Sequence, residues 1–533
     1  MGIDFRDTPF GQVWRSAIGP KLFPYPDEKD GFELCGTKPL ENVSPKSAEE
    51  DVEKSESDSS NPPSQDEIVG WYGENDPENP QAWSTAKKTF TFFQICLLTF
   101  AVYSGSAIIT PAQPTFIRIF GVSTQASSLV LSMYVLGYGT GPLFFSPLSE
   151  VPRIGRNIPY MTSLSLFIIV TIVASRVSNF PGLVVLRFIQ GFLGGPVLAT
   201  GGASAADILG FHKIPYGLTF WTTAAFAGPA LGPLLAGFSV TESTWRWSMY
   251  ELLIISATTW VLLFFCLPET NAETILLKRA QRLRRLKANP NLKSESEIKQ
   301  GNIHFLRLMG SYLTTPFLVT LQDPSVAFIN LYTALIYAIY YSYFESFPIV
   351  YVGTYGFSIG IQGVVFLSII IACILGASIY LLLVKYHYEP YTIQNGIGSP
   401  EHRLLPGVYA AALAPCGILL FAWTSRESIN WVVPTIGIVI FSTCVFILGN
   451  VIFIYLPISY PRYAASLFAA NTFFRSALAC AAVHFSQPLF NNLGVDRGCS
   501  LIAGLTAGCF FGVFGLWKFG AKLRERSKFA QVY

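Results

Sequence analysis

Apolar residues are spread unevenly along this chain: beyond Lys87 and Lys88 they collect into runs of about twenty, separated by short polar breaks. A helix rising about 1.5 Å per residue needs about twenty such residues to cover the roughly 30 Å hydrocarbon core of a bilayer. The pattern predicts twelve membrane helices, over 90–110, 128–148, 158–176, 182–208, 216–238, 248–267, 324–345, 361–384, 404–424, 431–456, 464–487 and 499–518. One long polar interruption, 268–322, opens with LLKRAQRLRRLK and divides the runs six and six. The predicted organisation is a tail (1–86), a six-helix bundle (87–267), a central loop (268–322), a second six-helix bundle (323–520) and a short carboxyl tail (521–533). Within the first tail, Ser44 to Asp66 is rich in Ser, Pro and acids and buries too little to fold alone, so it is expected to be disordered. Phe5 to Phe32 carries aromatics that fit either a short interfacial or docking helix or a loosely packed tail.

Composition agrees with a membrane chain. Only 13% of the 533 residues are charged and 51% are hydrophobic, whereas soluble domains are about a quarter charged. A water-soluble enzyme of ordinary make-up is thereby excluded. The net charge of +3 conceals a division: residues 1–86 hold 18 acidic and 7 basic residues, and 87–533 hold 15 acidic and 29 basic. With the amino terminus inside, cytoplasmic loops and the carboxyl tail carry 20 basic residues against five outside (Arg118, Arg176, Arg246, Arg426, Arg497). That bias predicts that both termini are cytoplasmic. Met1 to Pro26 lacks the apolar core of a cleavable signal. The nine cysteines stand singly, HExxH and GxxxxGK[ST] are absent, and no metal, cofactor or resident ATP-binding domain is expected.

Three motifs carry the candidate chemistry. GPLFFSPLSEVPRIGR places Glu150, Arg153, Gly155 and Arg156 where the second helix meets a cytoplasmic turn, an arrangement suited to a charge latch that holds one conformation and opens in another. LRFIQGFLGG puts Arg187 and Gln190 on one face of the fourth helix. A guanidinium at that depth has to face a cavity or a hydrogen-bonding partner. AFAGPALGPLLAG sets Gly228-Pro229 and Gly232-Pro233 in the middle of the fifth helix, giving a smooth face for close packing and a local bend.

From Trp71 to Lys522 the chain resembles the major facilitator superfamily, and within it the fungal twelve-span drug:proton antiporters called DHA1. The three motifs match that family's loop 2–3, helix 4 and antiporter helix 5 motifs, supported by DPENPQAWS (76–84), LPET (267–270) and SLFAANTFFRS (466–476). With FGQVWRSAIG near the start, it looks similar to exporters conferring caffeine, benomyl, cycloheximide or fluconazole resistance and to exporters of self-made toxins. The loop 2–3 motif departs from the family pattern, with Ser149-Glu150 and two arginines in place of a more basic turn. Its expected counterpart between helices eight and nine is reduced to KYHYEP (385–390), leaving a latch in the second half open.

The resemblance implies an all-α membrane protein of two six-helix bundles about a central cavity, and no enzyme. It implies a functional monomer whose partners are the lipid bilayer, a small-molecule substrate and protons, with the plasma membrane expected over the vacuole and no nucleic acid. It implies a cavity wall that includes Tyr103, Tyr134, Tyr138, Gln190, Trp221, Phe226, Tyr332, Tyr340, Asn471 and Phe474, an aromatic lining suited to planar or amphipathic ligands. The few charges within the apolar runs are the candidates for coupling and gating: Glu345, Arg187, Asp207 and Arg475. Glu345, in YYSYFESFP, fits either a proton carrier or a structural carboxylate bonded to a neighbouring helix. An importer, or a membrane receptor or scaffold, are the alternative readings.

Overall fold

The computed structural model describes residues 5–19, 23–29, 37–39, 67–300, 305–396, 398–460, 464–527 and 529. The stretch expected to be disordered, 44–66, lies outside the described residues. Among the described residues, eleven helical stretches are long and apolar enough to cross a membrane. After a short helix α1 (Pro9–Ile18), the first bundle contains α2 (Thr85–Ala107), α3 (Leu129–Glu150), α4 (Asn157–Arg176), α5 (Phe180–Ile208), α6 (Ile214–Glu242) and α7 (Arg246–Cys266). Between the bundles run α8 (Ala272–Lys287) and α9 (Phe305–Gln322). The second bundle contains α10 (Pro324–Phe344), α11 (Ile359–Gln394), α12 (Leu405–Thr424), α13 (Val432–Ser459) and α14 (Ala464–Glu525). At 62 residues α14 is far longer than one crossing requires, and Gly494 interrupts it at φ 81°, ψ 163°, a backbone that L side chains rarely adopt.

Glycine lets helices approach along backbone rather than side chain. A Cβ at Gly228 would lie 2.7 Å from the Ser104 nitrogen, and one at Gly232 2.8 Å from the Ile108 nitrogen, so α6 lies directly on α2. Helix α6 runs unbroken from Ile214 to Glu242 through both prolines. The two bundles meet along two seams, α3 with α14 and α6 with α11. At the first, a Cβ on Gly139 would fall 2.3 Å from that of Ser476, and at the second one on Gly363 would fall 2.8 Å from the Pro233 carbonyl.

The loops carry more structure than hydropathy predicts. Strand β1 (Thr37–Pro39) pairs antiparallel with β2 (Glu67–Val69), and β2 pairs parallel with β3 (Leu292–Lys293), tying the amino-terminal segment to the central loop. Val69, Ala280, Leu283 and Leu292 form a small separate core there. Beside it, fully buried Arg279 reaches Asp76 at 2.7 Å, while Arg282 reaches Asp27 at 2.8 Å and Glu78 at 3.0 Å. Tyr72 and Tyr25 cover the two guanidinium groups at 4.0 and 3.6 Å. Burial pushes the Asp76 carboxyl up, but the hydrogen bonds from Arg279 and from the Tyr72 and Glu78 amides outweigh it and hold the group below its ordinary range. Burial pushes Glu78 up against the pull of Arg282 and Arg279.

Candidate translocation site and gates

The middle of the molecule is closed by aromatic hydroxyl groups and one arginine. Tyr138 on α3 hydrogen-bonds Tyr337 at 2.7 Å and Tyr341 at 3.0 Å, both on α10. From α14, Arg475 donates to the Tyr103 hydroxyl at 3.2 Å, with its guanidinium 4.5 Å from the Tyr337 ring and 5.3 Å from Phe453. These contacts join the halves across their interface. A cavity of about 30 Å³ beside them is lined by Phe226, Tyr332, Tyr337, Asn471 and Arg475, among others. Three buried polar atoms of residues in that lining, Tyr332 Oη, Asn471 Oδ1 and Arg475 Nε, have no hydrogen-bond partner among the described residues, and neither has Tyr340 Oη.

Larger chambers open toward each face. On the face away from the amino terminus, a chamber of about 610 Å³ is lined by Pro229, Pro233, Tyr341, Phe344, Glu345 and Gln487, among others. The Gly-Pro face of α6 thus combines glycines on α2 with prolines on a chamber wall. Glu345 accepts from Gln487 Nε2 at 3.3 Å, a bond to the neighbouring α14. On the amino-terminal face, a chamber of about 350 Å³ is lined by Glu150, Arg156, Asp207, His212, Glu389 and Arg403, among others. There the Tyr216 hydroxyl of α6 donates to Glu389 of α11 at 2.6 Å, bridging the halves. A hydrogen bond to a charged group contributes about 1.5–3 kcal/mol. Tyr216→Phe is therefore expected to widen this chamber, raising thiol alkylation at a cysteine placed at the buried lining residue Ala465 by roughly tenfold; an unchanged rate would show that the bond is no gate.

The loop 2–3 motif folds into a turn that holds its charges apart. Arg156 pairs with Asp207 at 3.1 Å and donates to Ser149 Oγ at 2.9 Å, while Glu150 shares the chamber lining and Arg153 is exposed. Sequence pattern alone misses the residue that shapes this turn. Glu269 of the LPET motif accepts the backbone N–H groups of Arg156 (3.0 Å), Asn157 (3.2 Å), Thr270 (3.0 Å) and Asn271 (3.1 Å), placing a carboxylate at the amino end of α4. Gly155, at φ 74°, lies so close that an added Cβ would be 2.6 Å from Glu269 Oε2. The second half carries an ion pair away from KYHYEP: Arg524, at the end of α14, donates to both oxygens of Glu401 at 2.7 and 2.9 Å, and Tyr455 donates to Glu401 at 3.3 Å. Glu269 follows the sixth run and Arg524 the twelfth, so the carboxylate that meets one turn has as its counterpart a guanidinium that meets the other.

Other candidates lie inside the bundles. Arg187 is fully buried and donates to the carbonyls of Gly105 (2.6 Å), Ser106 (3.3 Å) and Val130 (3.0 Å) and to Gln190 Oε1 (2.7 Å), with the Tyr134 ring at 4.2 Å. It caps the carboxyl end of α2, where the helix dipole is negative. Gln190 donates onward to Thr171 at 2.6 Å, and Tyr134 donates to the Val102 carbonyl at 2.6 Å, so both serve packing within the first bundle. Trp221 donates to Thr99 at 3.0 Å and meets Phe453 of α13 in the other bundle. Phe226 meets Tyr340 and Phe446, whereas Phe474 meets Phe317 of α9.

Comparison with known proteins agrees with this architecture. The Major Facilitator Superfamily model matches residues 95–483. The chain is 44% identical over 462 residues to the MFS-type transporter pyvG of Aspergillus violaceofuscus, covering 87% of this chain and 85% of that one. It is 37% identical to the cycloheximide resistance protein of Candida maltosa, covering 99% of this chain and 100% of that one. The crystal structure of the human organic anion transporter MFSD10 shares the fold, with a TM-score of 0.59 at 16% identity over 80% of this chain and 99% of that one. The chain belongs to the major facilitator superfamily and, within it, to the fungal DHA1-type drug-resistance transporters.

Proposed function

We propose that this transporter is a proton-coupled exporter of amphipathic or aromatic small molecules, either foreign drugs or self-made toxins, working by alternating access. The observation that carries the reading is the pair of chambers on opposite faces, separated by a Tyr138–Tyr337–Tyr341–Arg475 layer that joins the two halves. Rocking of the halves would part that layer toward one chamber at a time. The aromatic surroundings, with few fixed polar atoms, suit ligands that stack rather than ligands read by many hydrogen bonds. The name of the Candida maltosa relative, a cycloheximide resistance protein, supports an exported xenobiotic.

In this proposal α14 crosses twice, breaking at Gly494, which makes twelve spans. The basic-residue bias puts both termini in the cytosol, the amino-terminal-face chamber opens inward, and the protein works as a monomer in the plasma membrane. Glu345 takes up the proton from outside, where the larger chamber opens, and its Gln487 bond holds it when the proton is absent. An inward gradient then supplies about 1.4 kcal/mol per pH unit and about 2.3 kcal/mol per 100 mV for each charge.

The test is transport in reconstituted vesicles. An imposed proton gradient is expected to drive labelled cycloheximide from the former cytosolic side, and flux indifferent to the gradient would refute coupling. Glu345→Gln is expected to abolish the gradient-driven component while ligand binding, read by tryptophan quenching, persists. Gradient-driven export that survives the substitution would leave Glu345 as a structural carboxylate.

A further inference from the structure

Helix α1 is amphipathic in the reverse sense to a helix that docks onto a protein core. Its polar face is turned inward: Gln12 Nε2 donates to the Arg6 carbonyl and to the Tyr25 hydroxyl, both at 3.0 Å, and Arg15 pairs with Glu28 at 2.6 Å. Gly11, on the same side, is pressed against the Phe5 carbonyl so closely that no side chain fits. The apolar face looks away from the protein, with Val13 56%, Trp14 38% and Ile18 63% exposed. In water this orientation wastes the apolar face; beside a hydrocarbon phase it is the favourable one.

Position identifies that phase. Phe10 of α1 meets Phe264 and Phe265 at the end of α7, with ring centroids 6.0 and 5.1 Å apart, and stacks on Trp14 at 5.7 Å. Phe265 is itself 39% exposed on a helix apolar enough to cross a membrane. An unbroken aromatic strip therefore runs from the lipid-facing side of α7 onto the outward face of α1. Trp is the side chain favoured where hydrocarbon gives way to headgroups.

We propose that α1 is an in-plane membrane anchor, its Val13, Trp14 and Ile18 face seated in the lipid leaflet on the amino-terminal side. The anchor leads to the Arg282 cluster, where Asp27 from the segment after α1 and Glu78 before α2 hold α8. A lipid contact at α1 thus fixes the start of the linker between the two halves. The proposal depends on α7 crossing the bilayer and is independent of the substrate and of the direction of transport.

Nitroxide labels at V13C, S16C and I18C, in the full-length protein with its native cysteines replaced by alanine or serine and reconstituted in lipid nanodiscs, test it by collision accessibility. Ile254, on the exposed face of α7, provides the lipid reference, and Arg285, exposed on α8, the aqueous one. Positions 13 and 18 are expected to match Ile254, with oxygen access high and nickel-chelate access low, while Ser16, at the polar edge of the helix, shifts toward Arg285. Labels at 13 and 18 that match Arg285 would overturn the proposal, as would labels closed to both reagents, which would place a protein surface there instead.

Discussion

Arg187→Met is expected to abolish recovery of folded transporter after detergent extraction, although the residue touches neither chamber. The substitution keeps the length and removes the fork that supplies the Gly105, Ser106 and Val130 carbonyls and Gln190. Two of those carbonyls belong to the carboxyl end of α2, and no water reaches them to replace the donors. Hydrogen bonds to a charged group contribute about 1.5–3 kcal/mol each, and whole proteins are stable by about 5–15 kcal/mol. Loss of the cluster therefore removes a large share of the total. Arg187→Lys is expected to fail nearly as badly, because an ammonium cannot match a planar fork aimed at separate oxygens. The check is the monodisperse fraction in size-exclusion chromatography together with the thermal midpoint; a Met variant that melts with the parent would show that the staple is dispensable.

Glu269→Ala is expected to cost about 3 kcal/mol or more of stability and to free the turn between α3 and α4. Four backbone donors lose one carboxylate, and two of them open the amino end of α4. Glu269→Gln keeps one acceptor oxygen and turns an amide toward the other donors, so it falls between the Ala variant and the parent. A cysteine at the exposed Arg153 reads the loosening directly: its alkylation should accelerate in the order parent, Gln, Ala. Equal rates would mean that the turn keeps its shape without Glu269, leaving the latch to Arg156 and Asp207 alone.

What could be read from the sequence was an all-helical membrane chain with a few charges inside its apolar runs; the neighbours of those charges were hidden. Hydropathy starts the first run at 90, whereas α2 begins at Thr85 because the Ser84 side chain accepts from the Lys87 amide and supports a polar first turn. It treats 268–322 as a loop, although α8 and α9 are helical, because the first is charged and the second contains Pro316. Arg187 was legible as a buried cation needing oxygen partners, but the carbonyls that serve it lie 57 to 82 residues earlier. Placing Tyr134, Gln190 and Phe474 on helices that line a cavity did not say which face each helix turns inward. The second ion pair was sought at KYHYEP, while its members, Glu401 and Arg524, are more than a hundred residues apart and share no local pattern.

None of the ion pairs described above spans the two bundles: Arg156 with Asp207 closes within the first, Arg524 with Glu401 within the second, and Arg279 and Arg282 tie the amino-terminal segment to the linker. The contacts that cross between the bundles are side-chain hydrogen bonds, among them Tyr138 with Tyr337 and Tyr341, Arg475 with Tyr103, Tyr216 with Glu389 and Ser132 with His484, together with glycine backbones and rings. Mechanically this makes two stiff shells on a compliant hinge line. Dissolved salt, which screens charges over about 10 Å at 0.1 M, acts on the shells far more than on the line between them. The resistance to rocking is then set by the exchange of a few hydrogen bonds, about 0.5–1.5 kcal/mol for each neutral pair and about 1.5–3 kcal/mol for those to Arg475 and Glu389, few enough for a modest driving force to turn the molecule over.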